Sequence, residues 1–535
     1  MASTALAAVA TLASAGASRA GTLLTQSNIV VSSSTYTGSA STVAVGQTLP
    51  SGAIATNDGT YPAVFNNATA DPSFGVTSPL FLTQYSVGGT TAAPVLTAQA
   101  PINLTALTGV TTSFPSKSEG ALNLSPDGRN LTLVDYASAP NRLDISNSNT
   151  PGIAEPGNYT ANATARTIVN LTANGVTAVL PTNAYPGNNG RAAVNVGGTY
   201  YLTGNAGNAN GSTAVTAAAG VQMVTPATAT STAGALNTTQ AGTFSLAATP
   251  YGNAVDPAST TGKTYSQEDK ASKDNNYRGL TVFNNTLYVT KGSGGNGVNT
   301  VYQVGIAGSL PNSGSTITIL PGFPTTPARS PAANFFPFGL FFANATTLYV
   351  ADEGSGANKA SVTAGSLTAA DLATAATDGN AGLEKFSLVN GVWMLDYVLQ
   401  TGLGLGQVYT VSGTTVSGDT GSYSAATDGL RNITGQVNAD GTVSIFAITS
   451  TISAGGDQGA DPNRFVTVTD VLGNTSSALA AGEAFSTVQT AAYGQVLRGV
   501  SFAPLDATVV PEPASFAVLG FGLAGVAAVR RHRTA

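Results

Sequence analysis

The chain has 535 residues, a net charge of −6 and only 9% Asp, Glu, Lys and Arg, against roughly 25% in an ordinary soluble domain. An acidic balance without a basic stripe excludes a nucleic-acid partner. The absence of cysteine excludes disulfides and thiolate chemistry, and the single histidine, His532, lies in the tail, so the body cannot build a Ser-His-Asp triad.

The N-terminal segment 1–20 resembles a secretory signal peptide but lacks the expected positive n-region, and a simple Ala-rich leader is the alternative. It contains the apolar stretch ALAAVATLA and ends in Ser18-Arg19-Ala20, which places small residues before a cut at Gly21. We therefore expect export. Residues 21–78 are rich in Ser, Thr, Gly and Ala, and we expect them to form an irregular extension.

The body repeats one pattern, in which a Gly-hydrophobic start leads to a short strand, a tight turn and a second strand. The copies are GALNLSPDGRNLTLVDY from Gly120, AAVNVGGTYYLTGN from Ala192, GLTVFNNTLYVTKG from Gly279, GLFFANATTLYVADE from Gly339 and, more loosely, ITGQVNADGTVSIFAIT from Ile433. The turn dipeptides are Asp127-Gly128, Gly197-Gly198, Asn284-Asn285 and Asp440-Gly441. Each copy predicts a β-hairpin.

A second pattern follows the hairpins and supplies third and fourth strands. PNRLDISN at Pro140 matches PNRFVTVTD at Pro462, while NTVYQVG at Asn299 and GLEKFSLVNGVWMLDYVL at Gly382 hold the same place in their repeats. Four antiparallel strands per repeat, without helical periodicity between them, predict an all-β protein with a β-propeller over residues 79–509.

The two ends of the body favour ring closure. LTQYSVGG at Leu82 has a third-strand pattern with no hairpin before it, and RGVSFAP at Arg498 has a first-strand pattern with no repeat behind it. Sharing one blade between these ends leaves no open sheet edge. We expect six blades, with seven as the alternative if residues 209–265 contain another. LSPDGRNLTLVD also resembles the turn of many bacterial propeller repeats, which implies fold and not activity.

No catalytic residue emerges from the body. Alignment of the second strands places acids at Asp135 and Asp352 but Lys291 between them, which is not a coordinating ring. Glu353 beside Asp352, in DEGSG, allows a Ca²⁺ interpretation, and an ordinary polar turn is the alternative.

Arginines stand next to several strand starts. Arg278 and Arg498 each precede a glycine, and Arg191 precedes Ala192. Such arginines could clamp an anionic sugar or phosphate, or they could tie neighbouring blades together through carbonyls and carboxylates. Trp393 and Tyr397, in one predicted strand, could stack on a sugar or pack in the core.

The C-terminal segment 510–535 has three parts. VPEP at Val510–Pro513 precedes an uncharged run, Ala514–Val529, and then a basic end with Arg530, Arg531 and Arg533. The run is slightly shorter than the ~20 residues of a usual spanning helix. We expect a transmembrane helix with the arginines on the cytoplasmic side. This segment could be a sorting signal, and the alternatives to that interpretation are a plain tail anchor and a helix packed on the body.

This arrangement resembles the PEP-CTERM sorting signal. The resemblance implies recognition and cleavage near Pro511, Glu512 and Pro513 by exosortase, a membrane-embedded, transpeptidase-like enzyme of Gram-negative bacteria that make extracellular polysaccharide. It also implies membrane retention by Arg530, Arg531 and Arg533.

We therefore expect an exported, membrane-anchored or exosortase-processed protein of the cell surface or matrix, with exosortase and the membrane as partners. Its function is predicted to be non-enzymatic binding of polysaccharide or protein, without a cofactor. The alternative is a Ca²⁺-assisted hydrolase or lyase with its site at the mouth of the propeller channel. The candidate ligand-binding residues are Arg278, Arg498, Asp352 and Glu353.

Overall fold

The computed structural model describes residues 23–48, 54–62, 76–143, 164–206, 216–246, 273–356, 367–452 and 461–506, with positions 249, 255, 262 and 264. The protein is mostly β, with 49% strand and 5% helix, which confirms the all-β prediction. The described helices include α1 (Leu104–Thr108), α2 (Ala369–Ala376) and a 3-10 turn (Lys273–Asn275). A capping box between Thr368 and Asp371 starts α2.

The N-terminal strands form part of a sheet that also receives the C-terminal strand. They are β1 (Ile29–Thr35), β2 (Thr77–Thr90), β3 (Ala93–Ala98), β4 (Ile102–Asn103) and β5 (Thr111–Ser113). β2 pairs with β1, β3, β4 and β5. The expectation of an irregular extension over 21–78 is wrong for β1. This strand is buried on both faces, so its sequence, IVVSSST, lacks the alternation that marks a half-exposed strand.

The next group is an antiparallel meander of β6 (Asn123–Leu124), β7 (Leu131–Tyr136), β8 (Arg166–Thr172) and β9 (Gly175–Thr182). The β6–β7 turn contains Asp127-Gly128, with Gly128 at φ 71°, as predicted. The third strand of this group is β8, so the prediction that the segment at Pro140 supplies the third strand is wrong. In that stretch Leu143 makes an isolated bridge to Val76, while residues 144–147 lie outside the described part.

The following group contains β10 (Gly190–Val196), β11 (Thr199–Gly204), β12 (Val221–Val224), β13 (Ser231–Thr232), β14 (Ala235–Leu236) and β15 (Thr239–Thr243). Its order is β10-β11-β12-β15, while β13 pairs with β14, which runs parallel to β9. Strands β12 and β15 therefore complete the group that starts at Gly190. Both lie within residues 209–265, the stretch in which the alternative prediction places a seventh blade.

A second meander contains β16 (Leu280–Phe283), β17 (Thr286–Lys291), β18 (Thr300–Val304) and β19 (Ser315–Ile319). The β16–β17 turn has Asn284 at φ 46° and Asn285 at φ 55°. Positive φ at both central residues is what a type I′ hairpin turn requires. β18 is the third strand predicted from NTVYQVG.

The last two groups lie in the C-terminal part. One contains β20 (Pro337–Asn344), β21 (Thr347–Asp352), β22 (Gly382–Val389) and β23 (Val392–Leu399). The other contains β24 (Val408–Thr414), β25 (Thr420–Val437), β26 (Thr442–Thr451), β27 (Arg464–Val471) and β28 (Ser486–Thr490). The long β25 pairs first with β24 and then with β26.

The final strand, β29 (Gln495–Phe502), pairs with the first. Val500 faces Val31 across β29 and β1, and Ser32 of β1 faces Leu82 of β2. The sheet order is thus β29-β1-β2, so the segments around Arg498 and Leu82 share one sheet, as their patterns predict. In this group β29 is the first strand, and the N-terminal part of the chain supplies both the second strand, β1, and the third strand, β2.

One strand of each group, here called its first strand, contacts the first strands of two other groups. In the group that contains β24–β28, this strand is β25. These contacts run in a cycle from β6 to β10, β16, β20, β25, β29 and back to β6. Glycines make the close approach feasible. A Cβ at Gly279 would lie 2.1 Å from the Phe338 oxygen, and one at Gly499 would lie 2.4 Å from the Leu122 nitrogen. The repeated glycine at strand starts is therefore a steric requirement.

Apolar side chains fill the space between neighbouring groups. Phe283 of β16 stacks on Phe342 of β20 with ring centroids 4.8 Å apart. Second strands such as β7 and β21 are buried along their whole length, because sheets cover both of their faces. Outer strands such as β9 keep partly exposed positions. The two ends of each first strand lie in different surroundings: one end is near buried charged side chains, and the other lines a cavity.

Candidate functional site

The beginnings of the first strands surround a buried cluster of charged and polar side chains, here called the polar core. All of its members are at most 4% exposed. The polar core consists of Ser116, Lys117, Ser118, Glu119, Arg191, Arg278, Glu353, Arg431 and Arg498.

Ser118 links two of the arginines. Its hydroxyl oxygen accepts hydrogen bonds from Arg191 Nε at 3.0 Å and from Arg278 Nη1 at 2.7 Å. Arg278 also donates to the Ser293 hydroxyl, and Arg191 donates to the Tyr277 carbonyl at 2.9 Å. A single hydroxyl between β5 and β6 thus connects residues next to β10 and β16.

Glu353 pairs with two cations that come from distant parts of the chain. Its Oε2 lies 3.5 Å from Lys117 Nζ and 3.4 Å from Arg431 Nε. Burial lowers the pKa of Arg431, and the Glu353 carboxylate opposes that shift. Because all three groups are out of water, removing one would leave an uncompensated charge in the interior.

Arg498 connects the chain's ends to the segment before β6. Its Nε donates to the Ser34 hydroxyl at 2.8 Å, and its Nη1 donates to the Ser116 carbonyl at 2.6 Å. Its Nη2 donates to the Phe114 carbonyl at 2.9 Å. The same guanidinium therefore contacts β1 and the loop that leads to β6.

Glu119 anchors the same loop. Its carboxylate accepts from Thr112 Oγ1 at 2.9 Å and from the Ser113 backbone N–H at 2.8 Å. It also accepts from Tyr136 and Asn189, so donors from β5, β7 and the start of β10 meet at one carboxylate.

Two titratable groups beside the polar core have shifted pKa values. Asp352 accepts from the backbone N–H groups of Phe336 at 2.6 Å and Gly354 at 2.8 Å, yet burial raises its pKa well above the usual range. Burial lowers the pKa of Lys291 to about 7, although its Nζ donates to the Ser293 carbonyl at 2.8 Å. Within the described part of the chain, no three His, Cys, Asp or Glu side chains are grouped to hold a metal ion.

The structure thus places Arg278, Arg498 and Glu353 in the polar core, with Asp352 beside it. Sequence reasoning missed Lys117, Glu119 and Arg431. The sequence could have pointed to Arg431, because it lies just before the predicted strand start at Ile433. Arg278 and Arg498 likewise lie just before the glycines of their strands. Lys117 and Glu119 had none, since the segment SKSE does not recur.

The other ends of the first strands line a cavity of about 240 Å³, here called the axial mouth. All of the cyclically arranged first strands contribute to it. The lining residues are Leu122–Pro126, Val194, Leu280–Phe283, Leu340–Phe342, Ile433–Gly435 and Val500–Phe502. Aromatic rings, hydroxyls and one amide lie among them, and none of these lining residues is charged.

Trp393 and Tyr397 do not lie at this mouth. Trp393 is 7% exposed and packs edge-on against Phe342, with ring centroids 5.9 Å apart. The Tyr397 hydroxyl accepts from Lys385 Nζ at 3.0 Å and donates to Asp470. Both side chains contribute to packing between β23 and its neighbours.

The chain leaves its last strand at the rim of the axial mouth. The Ala503 N–H donates to the Asn28 carbonyl at 2.8 Å, and the Leu505 N–H donates to the Gly128 carbonyl at 2.7 Å. Residues from 507 onward, including Pro511, Glu512, Pro513, Arg530, Arg531 and Arg533, lie outside the described part. Within the described part, no helix is long and apolar enough to cross a membrane.

Residues 509–531 match the family described as the PEP-CTERM protein-sorting motif. The chain carries a PEP-CTERM sorting signal. This signal implies that the protein is exported, anchored in the membrane by its C-terminal end and displayed at the cell surface after processing by exosortase. The resemblance stated from VPEP, the uncharged run and the terminal arginines is confirmed.

Comparison with other proteins says little about the body of the chain. No curated protein matches it. One chain of a Saccharomyces cerevisiae complex, described as a Dbp5 variant bound to Nup159, a Gle1 variant, IP6 and ADP, aligns over 72% of this chain and 89% of that chain, with 10% identity and a TM-score of 0.24. A Synechocystis apocarotenoid oxygenase variant aligns over 80% of this chain and 62% of that chain, with 9% identity and a TM-score of 0.20. At these TM-scores the likeness carries no argument.

Proposed function

We propose that the body is a six-bladed β-propeller that binds neutral polysaccharide at the axial mouth and catalyses no reaction. Its blades are the groups headed by β6, β10, β16, β20, β25 and β29. The cyclic contacts of these first strands and the pairing of β29 with β1 support a closed ring. Closure through a shared blade leaves no open edge between the chain's two ends.

The lining of the axial mouth carries the binding proposal. Aromatic rings at Phe341 and Phe502 offer apolar faces, while Asn123, Thr281 and Thr434 offer neutral hydrogen-bonding groups. Sugar rings present both an apolar face and hydroxyls, so they match such a mixture. The volume of about 240 Å³ is smaller than the roughly 300–1,000 Å³ of a typical ligand pocket, which suits a short stretch of a longer polymer.

Charge placement separates this proposal from a Ca²⁺-assisted hydrolase or lyase. Ca²⁺ is held by 6–8 oxygen ligands, usually with carboxylates among them. The residues that line the mouth supply no carboxylate, while Asp352 and Glu353 are buried near the beginnings of the strands. We therefore assign structural roles to these residues: Arg278, Arg498 and Glu353 hold neighbouring blades together. Asp352 holds the two ends of its own hairpin.

A glycan array of neutral and acidic polymers, probed with the full chain in detergent, tests the binding function. Neutral glycans should bind and acidic ones should not. Thr281→Ala and Thr434→Ala should each weaken binding about 3- to 10-fold, as expected for one lost hydrogen bond. Thr410→Ala, an exposed hydroxyl on β24, is the matched control and should bind normally. Equal binding by all three variants would contradict a site at the mouth.

At the ends of the chain, residues 1–20 act as the signal peptide and Ala514–Val529 as the membrane helix, followed by the cytoplasmic Arg530, Arg531 and Arg533. Replacing Pro511, Glu512 and Pro513 with alanine should leave the chain in its processing membrane. Maturation at the normal rate in a host with exosortase would show that these three residues do not direct processing.

A further inference from the structure

The position at which the chain leaves its body also fixes which face lies near the membrane. Phe502, the last residue of β29, lines the axial mouth, and Leu505 is still hydrogen-bonded to Gly128. Gly128 lies in the β6–β7 turn, whose Pro126 also lines the mouth. The chain is thus held at the rim of the mouth, near the centre of one face of the ring.

The connection from this rim to the membrane anchor is short. Eight residues lie between Leu505 and Ala514, where the uncharged run begins, which makes nine Cα–Cα steps. A fully extended chain of that length spans at most about 32 Å. A compact body of roughly 430 residues has a radius of gyration of about 22 Å, and hence a diameter near 57 Å. Even fully extended, the tether reaches only slightly beyond the body radius of about 28 Å. Because it is fixed near the centre of a face, it keeps that face toward the bilayer.

We infer that the anchored protein holds its axial mouth against the membrane, so that large polymers cannot enter it until the protein is freed from its anchor. The orientation follows from the exit point and the tether length alone. The consequence for polysaccharide rests on the proposed function, because it takes the mouth as the binding site. Surface binding of the polymer is then a property of the processed form.

The absence of cysteine in the chain permits a direct test of accessibility. Ala345 and Ala332 are both exposed, and they lie beyond opposite ends of the same strand, β20. Ala345 is in the β20–β21 turn at the mouth end, whereas Ala332 precedes the strand at the other end. Ala345→Cys and Ala332→Cys therefore form a matched pair that introduces one thiol at each face.

The full-length variants would be reconstituted in phosphatidylcholine–phosphatidylethanolamine vesicles with the body outside. N-ethylmaleimide should label both thiols. Maleimide carrying a 20-kDa polyethylene glycol should label Ala332→Cys as fast as in detergent, but Ala345→Cys at least tenfold more slowly. Equal rates for the two variants on vesicles would overturn the orientation.

A spacer variant removes the remaining ambiguity. Inserting 40 Gly/Ser residues between Asp506 and Ala507 adds an average reach of about 35 Å without changing the body. Labelling of Ala345→Cys by the large reagent should then return to the detergent rate, and unchanged protection would contradict the tether argument. A failed glycan array would remove the proposed function but leave this labelling result intact, so the two failures are distinguishable.

Discussion

The two ends of the first strands carry opposite chemistry. At their beginnings, the polar core buries Lys117 and Arg431, each within ion-pair distance of Glu353. At their other ends, the residues lining the axial mouth are neutral and partly open to solvent. The comparison shows that charge, which is scarce in this chain, is concentrated where it joins distant segments and is absent where a ligand could enter.

This difference follows from what each environment tolerates. A buried charge is stable only when paired and hydrogen-bonded, so each member of the polar core restricts the positions of its partners. Hydroxyls and aromatic rings carry a much smaller desolvation cost and can exchange water for a ligand. Changes at the first end should therefore affect folding, and changes at the second should affect binding.

The largest expected effect comes from Glu353→Gln. It leaves Lys117 and Arg431 buried without their carboxylate, and it should lower the free energy of unfolding by about 3–5 kcal/mol. Urea unfolding of the full chain in detergent measures this loss. Asp440→Asn, at an exposed acid in the β25–β26 turn, is the control. Its amide oxygen can still accept the hydrogen bonds from the Thr442 N–H and hydroxyl, so the midpoint should change far less. A normal midpoint for Glu353→Gln would mean that the ion pairs do not stabilise the ring.

Lys291→Met tests the surroundings of the polar core through the pH dependence of the free energy of unfolding. The pKa of Lys291 is lowered from about 10.5 to about 7, so the folded state holds this side chain neutral over a range in which the unfolded state binds a proton. Its contribution to stability is present above pH 10.5 and is lost as the pH falls toward 7. Between pH 9 and pH 7, wild type should lose up to about 3 kcal/mol more than Lys291→Met. Parallel stability curves for the two proteins would contradict the shift.

Gly499→Ala tests the close approach of first strands. The added Cβ would lie 2.4 Å from the Leu122 nitrogen, which forces β29 and β6 apart at a cost of about 1–3 kcal/mol. Gly473→Ala is the matched control, since nothing lies within 4 Å of its Cβ position. Thermal unfolding should show a lower Tm for Gly499→Ala alone. Equal Tm values would contradict close packing around the axis.

The smallest effect on stability is expected for Thr434→Asp at the axial mouth. The side chain is partly exposed, so the new charge stays hydrated and should change the free energy of unfolding by less than about 0.5 kcal/mol. Binding of neutral glycan should nevertheless fall, because the carboxylate cannot donate a hydrogen bond and is costly to desolvate. Loss of stability with unchanged glycan binding would reverse the contrast between the two ends.

Local chemistry explains which elements the sequence could predict. Gly197-Gly198 and Asn284-Asn285 adopt the positive φ that hairpin turns require, so the hairpins around them could be recognised from a few residues. The patterns at Leu82 and Arg498 could be matched because both resemble strands elsewhere in the chain. Those predictions needed no knowledge of distant contacts.

The remaining elements depend on partners far away in sequence. Strand β1 ends at Thr35 and pairs with β2, which begins only at Thr77, and with β29 near the other end of the chain, so no local hairpin marks it. The third strand β8 begins at Arg166, well beyond the matching segment at Pro140. Lys117 acquires its role only when it meets Glu353, more than two hundred residues later. Pair contacts of this kind leave no periodic signal.

The pairing of β1 with β29 has a consequence for biogenesis. The strand that completes the N-terminal sheet ends at Phe502, about 33 residues before the C-terminal residue. During export nearly the whole polypeptide must therefore cross the membrane before its earliest strand finds its last neighbour. Contacts of such long range make folding slow. The β1–β29 pairing can form only after residues 495–502 have been exported, so this sheet is completed at the end of the process.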